Sequence, residues 1–204
     1  MAAKARDSSP SPSSIEFRRR AARGIPREIG VYALCDLDGV PIYVGQSMDG
    51  IRARVNRHIT SARSDVIANR QIDVWEIASV QCWVVDKIDK LAALEAYLFH
   101  KFHRESPLMN GSIPSKVAKL TFKMPGVKSV QLLPSDEIKD RQRVELRLPR
   151  QAKHFGDLLD HFLTVKDSNE LLLALRAHFG RLEKYFKNLR PEASPDDSEA
   201  EAEH

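Results

Sequence analysis

Between Ile29 and Arg104 the spacing of apolar positions switches repeatedly between the strand and the helix period. Residues 29–35 (Ile-Gly-Val-Tyr-Ala-Leu-Cys) read as a strand. Asp36-Leu37-Asp38-Gly39 is turn chemistry, with Gly39 able to take positive φ. Val40–Val44 returns as a second strand, and Pro41 marks an edge or a strand start. A helix follows from about Gly50, capped by Ser47 or Asp49, with Ile51, Val55 and Ile59 on one face. Ser79–Val85 reads as a third strand. Asp86 or Asp89 can cap a helix running to Arg104, and Pro107 marks its end. The predicted order is ββαβα.

Beyond residue 115 the pattern changes. Val127–Leu133 and Arg143–Leu148 read as a second hairpin, because Val144, Leu146 and Leu148 alternate with Arg143, Glu145 and Arg147. Phe155, Leu158, Leu159, Phe162 and Leu163 share one helical face, and Asp167-x-x-Glu170 resembles a capping box. A last helix carries Leu172, Leu175, Phe179, Leu182, Phe186 and Leu189 in alternating steps of three and four. That stripe is either a dimer seam or a face packed on the chain's own core.

Composition adds a class. Of 204 residues, 42% are hydrophobic and 29% charged, close to a globular average. No apolar run reaches the ~20 residues of a membrane span, and the N-terminus has no apolar core of a secretory signal. Cys35 and Cys82 stand far apart, which excludes a disulfide framework or a cysteine zinc site. A soluble, cytoplasmic protein is expected. The net charge of +4 hides a partition: residues 1–24 sum to +4, 25–110 to −1, 111–190 to +7 and 191–204 to −6. A basic body points first to nucleic acid. The Ser/Pro-rich start, followed by Arg18, Arg19, Arg20 and Arg23, reads as a disordered basic arm over 1–24. The acidic end over 191–204 reads as a disordered tail that competes for the basic surface.

One residue stands out chemically. Glu95 is the only charge between Lys90 and His100, in a helix apolar nearly all round. A carboxylate there is paired, neutral, bound to a metal, or on one narrow wet strip. Tyr32 and Tyr43 lie on the two strands of the first hairpin, and Arg54 and His58 share a helix face at i, i+4. Each has a plain structural reading: sheet packing for the tyrosines, a solvated charge for Arg54, a satisfied histidine for His58.

Together they carry a resemblance. Gly30-Val31-Tyr32 and Tyr43-Val44-Gly45 resemble the paired signature of the GIY-YIG nuclease family. Ile51-x-x-Arg54-x-x-x-His58 is similar to its first-helix motif, Glu95 to its metal-binding glutamate, and Asn110 to its closing asparagine. Val31 and Val44 replace isoleucine in the family name but keep a β-branched strand residue. The likeness covers about residues 25–115. It implies an α/β fold with a small three-stranded antiparallel sheet flanked by helices; the pattern over 116–190, where no resemblance is found, reads as an α+β extension. It also implies a metal-dependent DNA endonuclease of restriction, defence or repair type, using one Mg²⁺ or Mn²⁺ held by Glu95. On this reading Tyr32, helped by His58, activates water and Tyr43 orients the phosphate, or the two tyrosines exchange these roles; Arg54 binds phosphoryl oxygens, and Asn110 fixes the shape of the site. Gly45 gives the chain room to turn behind Tyr43. Arg52, Arg57, Arg63 and Arg70 are candidate phosphate contacts, and Arg143 and Arg147 candidate groove contacts on a two-stranded ribbon. The partners expected are DNA and, through the last helix, a second copy of the chain. The rival reading is a protein that binds nucleic acid without cutting it.

Overall fold

The computed structural model describes residues 12–60, 70–187 and 189. Residues 1–11 of the basic arm, Arg63 and the acidic tail lie outside the described residues.

The protein is α/β, built on a four-stranded antiparallel sheet with strand order β2-β1-β3-β4. The strands are β1 (Gly30–Cys35), β2 (Pro41–Ser47), β3 (Ser79–Val84) and β4 (Val127–Gln131). The expected sheet had three strands; β4 adds a fourth by pairing with β3, Val80 opposite Val130. All six residues of β1 are buried, because helices cover both faces of this central strand. On one face, Tyr32, Leu34, Ile42 and Val80 pack on α2 (Ile51–Thr60) through Ile51, Val55 and Ile59. On the other, Val31, Ala33 and Val44 pack on α3 (Leu91–Glu105) through Leu91, Leu94 and Leu98. The two faces of one strand alternate between two cores, so the apolar run 29–35 has no polar side.

Local details differ from expectation. Gly39 does turn the hairpin at φ 75°. Ser47 caps nothing; its hydroxyl donates to the Gly50 carbonyl at 2.8 Å. No side chain caps α3, and Asp86 pairs instead with Lys90 at 2.6 Å. The arm is helical from Pro12 to Ala21 (α1), pinned where Arg18 donates to the Ile77 carbonyl at 3.0 Å.

The expected second hairpin does not form. Val127–Gln131 is a strand, but Val144–Leu148 belongs to α5 (Val144–Thr164), with Arg143 at its N-cap, after a short α4 (Ser135–Gln142). The reason is inverted polarity. Alternation assigns Val144, Leu146 and Leu148 to the core, yet Arg147 is buried and these three are only half-buried. Arg147, Arg150 and Gln151 sit at i, i+3, i+4 on one helix face and meet acids of the sheet domain. Arg147 bonds Glu76 at 3.1 and 2.9 Å and Asp38 at 2.7 Å; Arg150 bonds Asp73 at 2.7 and 2.9 Å. From α6 (Asn169–Lys187), Arg181 reaches Asp36 at 2.6 Å. Helices α5 and α6 pack on each other through Leu158, Leu171, Ala174 and Leu175. Ser168, rather than Asp167, caps α6 by accepting from the Leu171 N–H at 3.3 Å.

His178 on α6 is 1% exposed, and its ring lies 4.9 Å from that of His154. Its Nε2–H donates to the Gln71 carbonyl at 2.9 Å. Burial, and secondarily His154, pushes its pKa down to about 3. The unfolded chain protonates this histidine below about pH 6.5, the folded chain does not, so stability is intact above that pH and falls toward pH 3. Lowering the pH from 7 to 5 is expected to remove about 2 kcal/mol through His178 alone. Urea titrations of His178→Gln at both pH values should show a correspondingly smaller loss. An identical loss would rule His178 out as the titrating group.

Candidate active site

The site forms where the β1–β2 hairpin meets α2. In the register Tyr32 stands opposite Gly45, and Leu34 opposite Tyr43. Both tyrosines therefore project from the sheet face that α2 covers. One turn apart on α2, Arg54 and His58 project back toward them. Tyr32 Oη and His58 Nε2 are 2.7 Å apart. The Tyr43 ring lies 6.3 Å from that of Tyr32 and 5.5 Å from that of His58, edge-on to the latter. Arg54 hydrogen-bonds both phenols.

Gly45 explains how two tyrosines fit. It lies inside β2 rather than at a turn, contrary to the expectation from sequence. A Cβ there would sit 2.6 Å from Tyr32 Oη and 2.8 Å from Cζ. The Tyr32 phenol thus crosses directly over the glycine to reach His58. Gly45→Ala is expected to displace the ring, break the Tyr32–His58 bond and lower stability by about 1–3 kcal/mol. The ¹⁵N shifts of the His58 imidazole report the bond; unchanged shifts in the variant would contradict this geometry.

Glu95 arrives from the opposite face, on α3, and meets the site around the outer edge of β2. Its carboxylate accepts the Gln46 N–H. Along the same edge, Asn110 Oδ1 accepts the Val44 N–H at 3.0 Å and its Nδ2 donates to the Val44 carbonyl at 2.7 Å. The Met109 N–H donates to the Ile42 carbonyl at 2.7 Å. Segment 109–110 and Glu95 therefore satisfy the free rim of an edge strand, as sheets require. Asn110 is a clamp on β2 between Tyr43 and Gly45.

The electrostatics follow from burial. Tyr32 is fully buried, and desolvation, then Tyr43, raises its pKa well above the ordinary phenol value, against the pull of Arg54. Tyr43 is raised by desolvation too, with Arg54 opposing. As a residue Tyr43 is half-buried, where Tyr32 is fully buried. Burial also raises Glu95, which Gln46 and Arg54 only partly offset. Among the described residues no group of three or more His, Cys, Asp or Glu is placed to hold a metal ion. A lone, partly desolvated carboxylate suits an ion of the Mg²⁺ type, which takes one or two protein carboxylates beside water and substrate oxygens.

The outlying arginines fall into separate places. Arg57 is exposed on α2 beside His58. Arg52 is committed to backbone, donating to the Ile25 carbonyl at 2.8 Å. Arg70 lies 3.8 Å from Asp157, and Arg143 lies 3.5 Å from Asp140. Arg147 is buried in its acid cluster and presents nothing to a groove. A cavity of about 520 Å³ lies away from the tyrosines, lined by Arg18, Arg19, Arg23, Arg52 and Asn56. His100 and His103, i, i+3 on α3, are each satisfied locally, by the Pro114 carbonyl at 2.7 Å and the Leu108 N–H at 3.1 Å. Sequence reasoning missed the part played by Gln46, whose contribution is a backbone N–H and so leaves no mark on residue identity. Set against known proteins, the chain matches no family model, no curated protein and no solved structure.

Proposed function

We propose that this protein is a divalent-metal-dependent DNA endonuclease, cytoplasmic and of restriction or defence type. The observation that carries the reading is convergence. Tyr32 and Tyr43 from the hairpin, Arg54 and His58 from α2, and Glu95 from α3 meet at one end of β2. Sheet packing alone asks for neither a phenol–imidazole bond nor a glycine shaved to admit it.

Phosphodiester hydrolysis needs a proton taken from water and charge stabilised on phosphorus. Neither buried phenol is an anion at neutral pH, so the final proton acceptor is His58. Tyr43 faces the attacking water, takes its proton and passes its own to Tyr32; Tyr32 delivers its phenolic proton to Nε2 of His58. The water oxygen forms the new bond to phosphorus as the ester oxygen leaves with the bonding pair and takes a proton from solvent. The water is assigned to Tyr43 rather than Tyr32 on the ground that Tyr32 is fully buried. Arg54 stays cationic and holds phosphoryl oxygens while steering the phenols. Glu95 would hold the Mg²⁺ or Mn²⁺, which supplies Lewis-acid polarisation of the phosphate when bound. Asn110 keeps the β2 edge in place. Arg57 and the arginines around α1 serve as phosphate contacts.

The test is incubation with supercoiled plasmid and Mg²⁺ or Mn²⁺, beside a chelator control. Nicked or linear plasmid that disappears with chelator supports the reading. Binding without any cutting would favour the non-catalytic alternative. Cutting restricted to flaps or branches would move the enzyme to structure-specific repair.

A further inference from the structure

Helix α6 carries two different apolar stripes, and only one is fully buried inside the chain. Leu171, Ala174, Leu175, Ala177, His178, Arg181 and Tyr185 face inward and are buried. The three-four stripe is offset from them and grows more exposed along the helix. Leu172 and Leu182 are half-buried, while Phe179 is 61%, Phe186 65% and Leu189 45% exposed. Leu189 stays on the stripe because its N–H continues the turn to the Phe186 carbonyl at 3.0 Å. On neighbouring α5, Leu159 and Leu163 are 37% and 70% exposed. Packing within the chain therefore buries Leu175 and partly engages Leu172, Leu182 and Phe179, whose ring lies 6.1 Å from that of Phe155, but leaves Phe186 and Leu189 largely exposed.

The undescribed segments are poor covers for this face. Residues 190–204 contain no large apolar residue, residues 1–11 only Met1, and residues 61–69 only Val66 and Ile67. A second α6 fits better. The six positions form three a/d pairs of a heptad repeat. Run antiparallel to itself, the stripe matches Leu172 with Leu189 and Phe179 with Leu182, apolar on both copies, and sets Phe186 over the turn of Leu175, which is itself buried in its own chain. Exposed Arg176 and Glu183, flanking the seam on its solvent side, then fall near each other's counterparts across the two-fold axis. A parallel pair lacks this match, because the flanking positions it would use, His178 and Tyr185, are buried in their own chain.

We propose that the chain forms a homodimer through an antiparallel α6–α6′ seam with Leu172, Phe179, Leu182, Phe186 and Leu189 at its centre, the isologous contact that a two-fold axis generates. This assumes nothing about the reaction at Tyr43 and Glu95.

Sedimentation equilibrium of the full chain at tens of micromolar is expected to give twice the chain mass of 23.1 kDa. A monomer mass throughout that range would overturn the proposal. Phe186→Glu should weaken association about 30-fold or more. Since Phe186 is exposed, the circular dichroism spectrum should not change, which separates lost assembly from lost folding, while the melting temperature should lose its dependence on protein concentration. Unchanged association of that variant would exclude this seam. Register has its own test. Glu183, which also pairs in-chain with Lys187 at 3.2 Å, becomes repulsive toward Arg176 of the other copy in Glu183→Arg. Adding Arg176→Glu should restore the dimer. Failure to recover would overturn the antiparallel register.

Discussion

Replacing Arg147 with alanine is expected to destabilise the protein by about 3–5 kcal/mol, the range seen when one partner of a buried ion pair is removed. Arg147 is 5% exposed. Burial works against its charge, but the Glu76 carboxylate outweighs that and holds the guanidinium above its ordinary pKa. Beyond its fork on Glu76 and its bond to Asp38, it reaches Tyr185 Oη at 2.9 Å and lies 4.1 Å from that ring's centre. Alanine would leave Glu76 and Asp36, 4% and 1% exposed, with one fewer positive neighbour. Lysine should rescue poorly, because it has no fork to match a carboxylate. Adding Glu76→Gln to Arg147→Ala should recover part of the loss, since the stranded charge goes with it. Urea unfolding of the three variants measures these differences. A loss below about 1 kcal/mol for Arg147→Ala, the scale of a surface pair, would show that this cluster does not dock the helices.

The second large effect concerns Glu95. On the proposed function, Glu95→Gln is expected to lower metal-dependent cleavage by about 10²–10³-fold or more, with DNA affinity nearly unchanged. The amide oxygen can still accept the Gln46 N–H, so the β2 edge keeps its partner. Only the charge is lost, and burial already disfavours that charge. The melting temperature at neutral pH should therefore hold or rise while cutting disappears. That opposition is the mark of a residue kept for chemistry at the expense of stability. A variant that melts lower and cuts normally would assign Glu95 to structure.

Much of the local framework was legible. Gly39, Pro107 and the switch from strand to helix period place the hairpin, α2, β3 and α3 within one to three residues, the largest miss being β2, which runs on from Val44 to Ser47, because turn residues and amphipathic spacing act over a few positions. The candidate site was also legible as a set. Tyr32, Tyr43, Arg54, His58 and Glu95 all stand within reach of one end of β2, and the i, i+4 spacing of Arg54 and His58 puts both on the same helix face. The role of each was less legible. Tyr32 and Tyr43 are the same residue type on paired strands; only burial distinguishes the fully buried residue from the half-buried one.

What went unread depended on partners far away in the chain. Arg143–Leu148 alternates like a strand, and nothing local reveals that Arg147 points inward. That follows from Asp36, Asp38 and Glu76, each 71 or more residues away, which offer charge to a helix face. The same pairing recasts the charge partition. Asp36, Asp38, Asp73 and Glu76 are four of the eleven acidic groups in 25–110, against ten basic ones, and the extension's arginines engage all four. The sheet domain therefore presents a positive surplus although its formal sum is −1. By itself the chain determined the order of strands and helices over residues 29–105 and the candidate set of site side chains, because period and residue type are local properties. Tertiary structure alone decided which arginines are surface and which are core, because a charge is buried only where distant carboxylates repay its desolvation.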